Sequence, residues 1–440
     1  MLLIFGFFFS LIFTNFANAR LELPTPATYE SGRFLCEQKY SEIVAHEKGF
    51  YVTVPVDEKL PALGTTEVYA FAQGGFDPAR ESMVYFSGGP GIPAHWGLFQ
   101  QELDSGLNVI IIEQRGIGCS RPTNLSQYLN PRFYGAELVA RDAEAVRKFL
   151  KITRWGVYGL SYGTVPATIY ASLFPQATRA LVLEGTMASG GTEVWEAPHR
   201  RKLLQKMLDS LPNKIRERME QIVQVHHQPD IWFSRLTREM LMANDALESL
   251  KSKLLAIDDE QNFAELLKRV RDMFAPLNYT PHVLFAMNDV PYYMNLCREL
   301  SFNENTLVSY DSLIDGQLVP TIDHESIEIC RQLAATKTKT YQAADFPVSV
   351  PVTYFQGSND SATAAPEAIR HYKSVPTGAR QLLILVKGGH SPNLTNIRND
   401  VDGQKEMFFH AIRGDVIPKE LLNRVRDNQP LRWTYTSKNF

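Results

Sequence analysis

Short apolar runs that end in glycine recur along this chain, and helical patterns separate the later ones. The runs "MVYFSGG" (83–89) and "NVIIIEQRG" (108–116) are continuous rather than alternating in polarity, which is typical of strands buried on both faces. Residues 136–152 then place apolar side chains at helical spacing. Strands that alternate with helices predict the α/β class, a mostly parallel sheet with right-handed crossovers.

Further strands are predicted on both sides of this centre. "GFYVTVPV" (49–56) and "TEVYAFAQ" (66–73) are expected to form an N-terminal antiparallel pair. "WGVYG" (155–159) and "ALVLEG" (180–185) continue the parallel part. Strand character returns only with "VPVTYFQG" (350–357) and "QLLILVKGG" (381–389), so we expect that an insertion interrupts the sheet.

The segment between these two groups of strands has a helical character. Apolar stripes at helical spacing run through it, including Leu236 to Leu254 and Phe263 to Phe274. A chain of 440 residues is also too long for one plain core. We therefore expect sheet-forming parts at 20–185 and 345–440, with a helical insertion at 186–344.

The first 19 residues resemble a secretory signal peptide. They are uncharged, their apolar run ends near Phe13, and Ala17-Asn18-Ala19 has the small-x-small form of a cleavage site. This predicts an exported protein, periplasmic or secreted, with no stable membrane insertion after cleavage. The Lys or Arg that usually precedes the apolar run of a signal peptide is absent. An uncleaved anchor is the alternative.

The net charge and the cysteines restrict which partners, metal sites and disulfides we expect. The net charge of −3 implies no basic face, so we expect no nucleic-acid partner. The four cysteines form no Cys-x-x-Cys pair and no Cys/His metal spacing. An even count in an exported chain suggests two disulfides. Spacing alone does not fix their pairing; we expect Cys36–Cys119 and Cys297–Cys330, with buried free thiols as the alternative.

The pattern Gly159-Leu160-Ser161-Tyr162-Gly163 places a serine on a predicted strand–turn–helix. Such a turn holds a nucleophilic serine in strained dihedrals, and the glycines avoid collisions with neighbouring backbone. The alternative is a small residue at an ordinary strand–helix junction. If Ser161 is a nucleophile, it needs a base, and the base needs an orienting carboxylate.

The expected chain order for such a site is serine, acid, histidine. His390 follows the last predicted parallel strand and a glycine pair, which places it at the carboxyl edge of the sheet. Asp360 lies three residues after Gly357, on the loop that follows the preceding strand. We therefore assign Asp360 as the acid and His390 as the base.

Two backbone N–H groups are expected to form an oxyanion hole. One belongs to Tyr162, immediately after the serine, and the other to the loop Ser87–Gly91, which follows "MVYF". Glycines in that loop let the backbone approach a substrate carbonyl closely. We favour Gly89, with Gly88 as the alternative.

Six motifs in this order resemble the α/β-hydrolase serine peptidases related to proline iminopeptidase, and most of all their exported tripeptidyl-aminopeptidase-like branch. The motifs are "SGGPG", "EQRGIGCSRP", "GLSYGT", "ALVLEGT", "GSNDSATAAPEA" and "GGHSP". The resemblance implies an α/β-hydrolase fold with an inserted helical cap and the same three catalytic residues. It also implies that Arg115 braces the site. Two positions depart from the family pattern: Ser87 replaces a usual His and Glu113 a usual Asp.

The resemblance implies an aminopeptidase that releases proline or short peptides from free N-termini and needs no metal or organic cofactor. Carboxylates in the cap would then bind the substrate ammonium group. The candidates are Glu299, Glu184 and Glu196, with Glu193 beside the last. An esterase or lipase with the same three residues is the first alternative, and a catalytically inactive binding protein is the second.

Overall fold

The computed structural model describes residues 21–94, 106–190, 289–300, 329–333, 338–375, 380–394, 403–427 and 433–438, except 22, 46–48 and 361. It also describes scattered positions between 202 and 255 and the pairs 310–311 and 318–319. The predicted signal peptide, both apolar stripes of the insertion and Glu196 with Glu193 lie outside the described residues. The boundaries of the insertion therefore stay a prediction.

A nine-stranded sheet organises the described chain. Its strands, in chain order, are β1 (Phe50–Pro55), β2 (Thr65–Ala72), β3 (Ser82–Phe86), β4 (Asn108–Ile112), β5 (Trp155–Leu160), β6 (Thr178–Glu184), β9 (Val352–Gly357), β10 (Arg380–Leu385) and β11 (Trp433–Lys438). A separate two-stranded antiparallel sheet contains β7 (Tyr310–Asp311) and β8 (Leu318–Val319). Across the large sheet the order is β1-β2-β4-β3-β5-β6-β9-β10-β11.

The six strands from β4 to β10 across the sheet run parallel, and the edge strands are antiparallel. This confirms the α/β class, the N-terminal antiparallel pair and the predicted parallel strands. β6 pairs directly with β9, although residues 185–351 separate them in the chain. The carboxyl ends of β5, β6, β9 and β10 are therefore neighbours at one edge of the sheet.

Helices cover both faces of the sheet. They are α1 (Gly32–Phe34), α2 (Ser41–Ala45), α3 (Leu125–Tyr128), α4 (Ala136–Phe149), α5 (Thr164–Leu173), α6 (Asp289–Arg298), α7 (Ala365–Ser374), α8 (Gln404–Arg413) and α9 (Lys419–Asp427). Apolar residues of α4, α5 and α7 pack in the core on one face. Residues of α8 and α9 pack in the core on the other. Because both faces are covered, the central strands are apolar throughout, as their sequences predict.

The four cysteines lie in two pairs. Cys36 and Cys119 are 5.7 Å apart at their Cα atoms, and Cys297 and Cys330 are 5.5 Å apart, which are separations usual for disulfides. The pairs are the two that we expected. The first joins the N-terminal segment to the turn after β4, and the second joins α6 to residues 329–333. Formation of the bonds in the protein stays a prediction.

Within the described part of the chain, every helix falls short of the length and hydropathy needed to cross a membrane.

Candidate functional site

Ser161 occupies a strained turn between β5 and α5. Its φ angle is 56°, in the left-handed region that residues other than glycine rarely adopt. Gly163 closes the turn against the end of β3, where an added Cβ atom would lie 2.0 Å from the Phe86 carbonyl oxygen. A side chain at 163 is therefore excluded, and the sequence Gly-x-Ser-x-Gly folds locally as expected.

The glycine loop after β3 lies directly against this serine. A Cβ atom on Gly88 would be 3.0 Å from Cβ of Ser161 and 3.5 Å from its Oγ. Gly89 has a φ of 114°, which a residue with a side chain would adopt only under strain. The loop predicted to carry an oxyanion donor thus reaches the predicted nucleophile.

Asp360 and His390 form a direct pair at the neighbouring strand ends. His390 Nδ1 lies 3.0 Å from Oδ1 and 2.9 Å from Oδ2 of Asp360. The aspartate is fully buried and the histidine is 6% exposed. A buried pair of this kind is shielded from water, so its mutual attraction is strong.

Four further groups hold the Asp360 carboxylate in place. The backbone N–H groups of Ala362 and Thr363 donate to Oδ1 at 2.8 and 2.9 Å. The Thr363 hydroxyl and the Gln356 amide donate to Oδ2 at 2.9 and 3.0 Å. Burial by itself would raise the pKa of Asp360, but the attraction of His390 and these hydrogen bonds outweigh it and lower the pKa below its usual value. Asp360 is therefore a carboxylate at neutral pH.

The end of β6 supports His390 from the other side. A Cβ atom on Gly185 would lie 2.9 Å from Cε1 and 3.1 Å from Nδ1 of the His390 ring. Glu184 accepts hydrogen bonds from the backbone N–H groups of Asn393 and Leu394 at 2.8 and 3.0 Å. Together, residues 184 and 185 fix the segment that carries the histidine.

Glu184 does not have the surroundings of a substrate ligand. Its side chain is fully buried, and its second oxygen accepts a bond of 2.8 Å from the Tyr158 hydroxyl. Burial raises the pKa of Glu184 to about 7, although these hydrogen bonds favour the charged form. The structure therefore does not support the interpretation of Glu184 as an ammonium ligand, because no surface of the carboxylate is open to a substrate.

Glu299 lies where the end of α6 meets the turn at Ser161. Its carboxylate accepts the backbone N–H of Ala136, at 2.9 Å to Oε2, and the hydroxyl of Tyr162. Burial raises its pKa, against the opposing effect of these bonds and of Arg298. Glu299 also lines a cavity of about 650 Å³ between the start of α4, the end of α6 and residues 338–346. Of the proposed ammonium ligands in the described chain, it is the one beside open space.

Arg115 does not contact the site. Its guanidinium donates to both oxygens of Asp142 at 2.6 and 2.7 Å and to the carbonyl groups of Pro55 and Val56. It therefore ties the end of β1 to α4. The residue before it, Gln114, contacts the glycine loop instead through Ser87, and no sequence pattern indicated this contact.

Among the described residues, no three His, Cys, Asp or Glu side chains come together as metal ligands would.

Comparison with known proteins agrees with this architecture. The α/β hydrolase fold family profile matches residues 81–228. Proline iminopeptidase of Aeromonas sobria is 30% identical over 179 residues, covering 36% of this chain and 42% of that protein. Proline iminopeptidase of Neisseria meningitidis serogroup A is 29% identical over 192 residues, covering 42% of this chain and 59% of that protein. The chain thus matches about half of the length of these relatives.

The crystal structure of Mycobacterium smegmatis proline iminopeptidase aligns at a TM-score of 0.43 and 15% identity, over 83% of this chain and 99% of that one. That similarity is too low to add to what the sheet itself shows. The chain is an α/β-hydrolase-fold protein and is similar to proline iminopeptidases.

Proposed function

We propose that this chain is a serine aminopeptidase that releases proline or short peptides from substrates with a free N-terminus. The observation that carries the proposal is the buried Asp360–His390 pair at the sheet edge where Ser161 stands in a strained turn. Nucleophile, base and acid on such a scaffold perform acyl transfer. The partial similarity to proline iminopeptidases supports a peptide substrate.

In the proposed mechanism Asp360 keeps the proton of His390 on Nδ1, which leaves Nε2 as the base. His390 takes the proton of Ser161 while the serine oxygen attacks the substrate carbonyl carbon. The backbone N–H groups of Tyr162 and Gly89 stabilise the negative oxygen that forms. His390 then protonates the leaving amine, and a water molecule activated by the same histidine hydrolyses the acyl-enzyme.

Glu299 is our candidate for the group that binds the substrate ammonium. Its carboxylate accepts a hydrogen bond from the hydroxyl of Tyr162, the residue after the proposed nucleophile. It also borders a cavity, whose described lining residues do not include Ser161. A charge-assisted bond to an ammonium group adds roughly 1.5–3 kcal/mol, which corresponds to about 10–100-fold in binding. The proposed preference for a free amine therefore depends on this residue.

The test compares proline and alanine p-nitroanilides with and without an N-acetyl group. We expect acetylation to lower kcat/KM at least about tenfold. Glu299→Gln should raise KM for the free-amine substrates and leave the acetylated ones unchanged. Glu137→Gln is the matched control, because Glu137 lines the same cavity but pairs with Arg141 at its surface. Equal turnover of free and acetylated substrates would favour a carboxylesterase or another hydrolase instead.

We also propose that the protein is exported and that Cys36–Cys119 and Cys297–Cys330 are disulfides in its mature form. The disulfide-like separation of both pairs supports this, because such bonds persist in oxidising compartments. Mass spectrometry of the protein purified from its host would test both points. The expected result is an N-terminus at Arg20 and a mass four hydrogens below that of the reduced chain; an intact N-terminus with free thiols would contradict it.

A further inference from the structure

The glycine loop after β3 needs an external support if it is to hold an oxyanion donor. Between Ser87 and Ile92 it contains three glycines, and two of them, Gly89 and Gly91, have φ angles of 114° and 93°. Glycine-rich backbone has many conformations of similar energy. Electrostatic stabilisation of a transition state, however, requires donors that are already fixed in position.

Gln114 supplies such a support from the end of the neighbouring strand. Its side-chain amide donates to the Ser87 carbonyl oxygen at 3.0 Å and lies 3.2 Å from the Ser87 hydroxyl oxygen. The Ser87 hydroxyl in turn donates to the carbonyl of Ile92 at 3.3 Å. One amide group thus holds the start of the loop, and Ser87 joins the start to the end.

The contact between Gln114 and Ser87 is buried, so its loss would affect the position of the loop. Gln114 is 4% exposed and Ser87 is 2% exposed. Loss of the amide would leave the Ser87 carbonyl without this donor in a site closed to water, and such losses are costly. Gly88, the residue after Ser87, lies against Ser161. A shift of Ser87 would therefore also displace the backbone beside the proposed nucleophile.

We propose that Gln114 is the positioning residue of the oxyanion loop: it sets the distance between the Gly89 N–H and the substrate oxygen without touching the substrate. The inference rests on the proposed function, since it assigns a partner to the oxyanion donor of that reaction. Arg115, the next residue, is held by Asp142. Glu113, the residue before, accepts from the N–H of Ala94, just after the loop, at 3.4 Å, whereas Gln114 bonds to Ser87 itself.

Gln114→Met is the main test, because methionine keeps the length of the side chain and removes the donor. Gln381→Met is the matched control: Gln381 is equally buried, and its amide donates to the Asp415 carbonyl at 2.9 Å near the start of β10. Displacement of catalytic geometry by about 1 Å costs on the order of 100-fold in rate. We expect Gln114→Met to lower kcat about 10–100-fold with KM within about twofold.

A second measurement separates positioning from a general loss of stability. A peptide aldehyde forms a hemiacetal with a catalytic serine and places its oxygen in the oxyanion site. The inhibition constant of the aldehyde should rise in parallel with the loss of kcat in Gln114→Met and stay constant in Gln381→Met. Where Gln114→Met does not fold, Ser87→Ala replaces it, with an expected loss of about 2–10-fold.

The outcomes are distinct. An unchanged kcat and aldehyde affinity in a folded Gln114→Met protein overturns the inference and leaves the proposed function intact. A wild-type protein that a fluorophosphonate does not label at Ser161 overturns the proposed function itself.

Discussion

His390 Nδ1 lies within 3.0 Å of both carboxylate oxygens of Asp360, and neither side chain has more than a small exposed surface. Such a contact fixes the orientation of the imidazole ring and the nitrogen that carries its proton. The other nitrogen, Nε2, is then left to accept a proton. The chemistry proposed for this protein depends on that arrangement.

Asp360→Asn is expected to abolish most of the activity. An asparagine amide would donate to Nδ1 and thereby place the ring proton on the wrong nitrogen, which lowers kcat about 10⁴-fold in a related arrangement. Steady-state kinetics at pH 8 would measure the loss. Asp415→Asn is the control, because Asp415 is an exposed aspartate that pairs only loosely with His410 at 3.8 Å. A loss of less than about tenfold would contradict the role of Asp360.

Gly185→Ala is expected to damage activity more than stability. The new methyl group would lie 2.8 Å from the carbonyl oxygen of His390 and 2.9 Å from Cε1 of its ring, and would push that residue out of position. Gly106→Ala is the matched control, since Gly106 has a similar φ, 72° against 61°, but no heavy atom of the described residues within 4 Å of an added Cβ atom. We expect kcat to fall at least about tenfold in Gly185→Ala alone. Comparable kinetics in the two variants would show that His390 tolerates the displacement.

Glu184 should make the stability of the protein depend on pH. Its pKa is raised to about 7 in the folded protein from an ordinary value of 4.5, so the folded state keeps the proton longer than the unfolded chain. Protonation of Glu184 therefore adds roughly 3 kcal/mol to the free energy of unfolding below about pH 4.5. This contribution is lost as the pH rises through about 7.

Glu184→Gln tests this sign. Glutamine accepts the Asn393 and Leu394 N–H groups as a protonated glutamate does, but it does not titrate. The free energy of unfolding of both proteins would be measured with urea at pH 5 and pH 8. We expect the value for the variant, relative to that for the wild type, to be higher at pH 8 than at pH 5. A pH-independent difference between the two proteins would show that Glu184 titrates near its ordinary value.

Loss of the Cys36–Cys119 link is expected to destabilise the fold. The two residues are separated by 83 positions, and closing a loop of that length stabilises a protein by roughly 4 kcal/mol through the unfolded state. Cys36→Ala/Cys119→Ala should therefore unfold at a lower urea concentration than the wild type. A thiol titration of the denatured, unreduced wild type should find no free thiol; four would contradict the assignment.

The sheet and its carboxyl edge could be predicted because they depend on local sequence. Continuous apolar runs identified the buried strands. Ser161 follows such a run directly, and Asp360 and His390 lie on the loops that follow two others. β11 was missed because four of the six residues in its sequence, "WTYTSK", are Thr, Ser or Lys, and because it lies at the edge of the sheet beside β10. An edge strand buries too little surface to require an apolar run.

The supporting contacts could not be predicted, because they join segments that are distant in the chain. Gln114 and Ser87 are 27 positions apart, and Glu184 and Asn393 are 209 apart. Glu184 was interpreted as a substrate ligand because the family resemblance implies a carboxylate that binds the substrate ammonium. Its burial against the segment after His390 became visible only in three dimensions.

Active-site labelling tests whether Ser161 is a nucleophile activated by His390. The folded wild type and the Ser161→Ala variant would be treated with a fluorophosphonate, and the adduct would be mapped by tandem mass spectrometry. We expect one adduct, on Ser161, with rapid labelling of the native wild type and no labelling of the variant or of the urea-unfolded protein. An absence of adduct on Ser161 in the native wild type, or equal labelling of the variant, would contradict it.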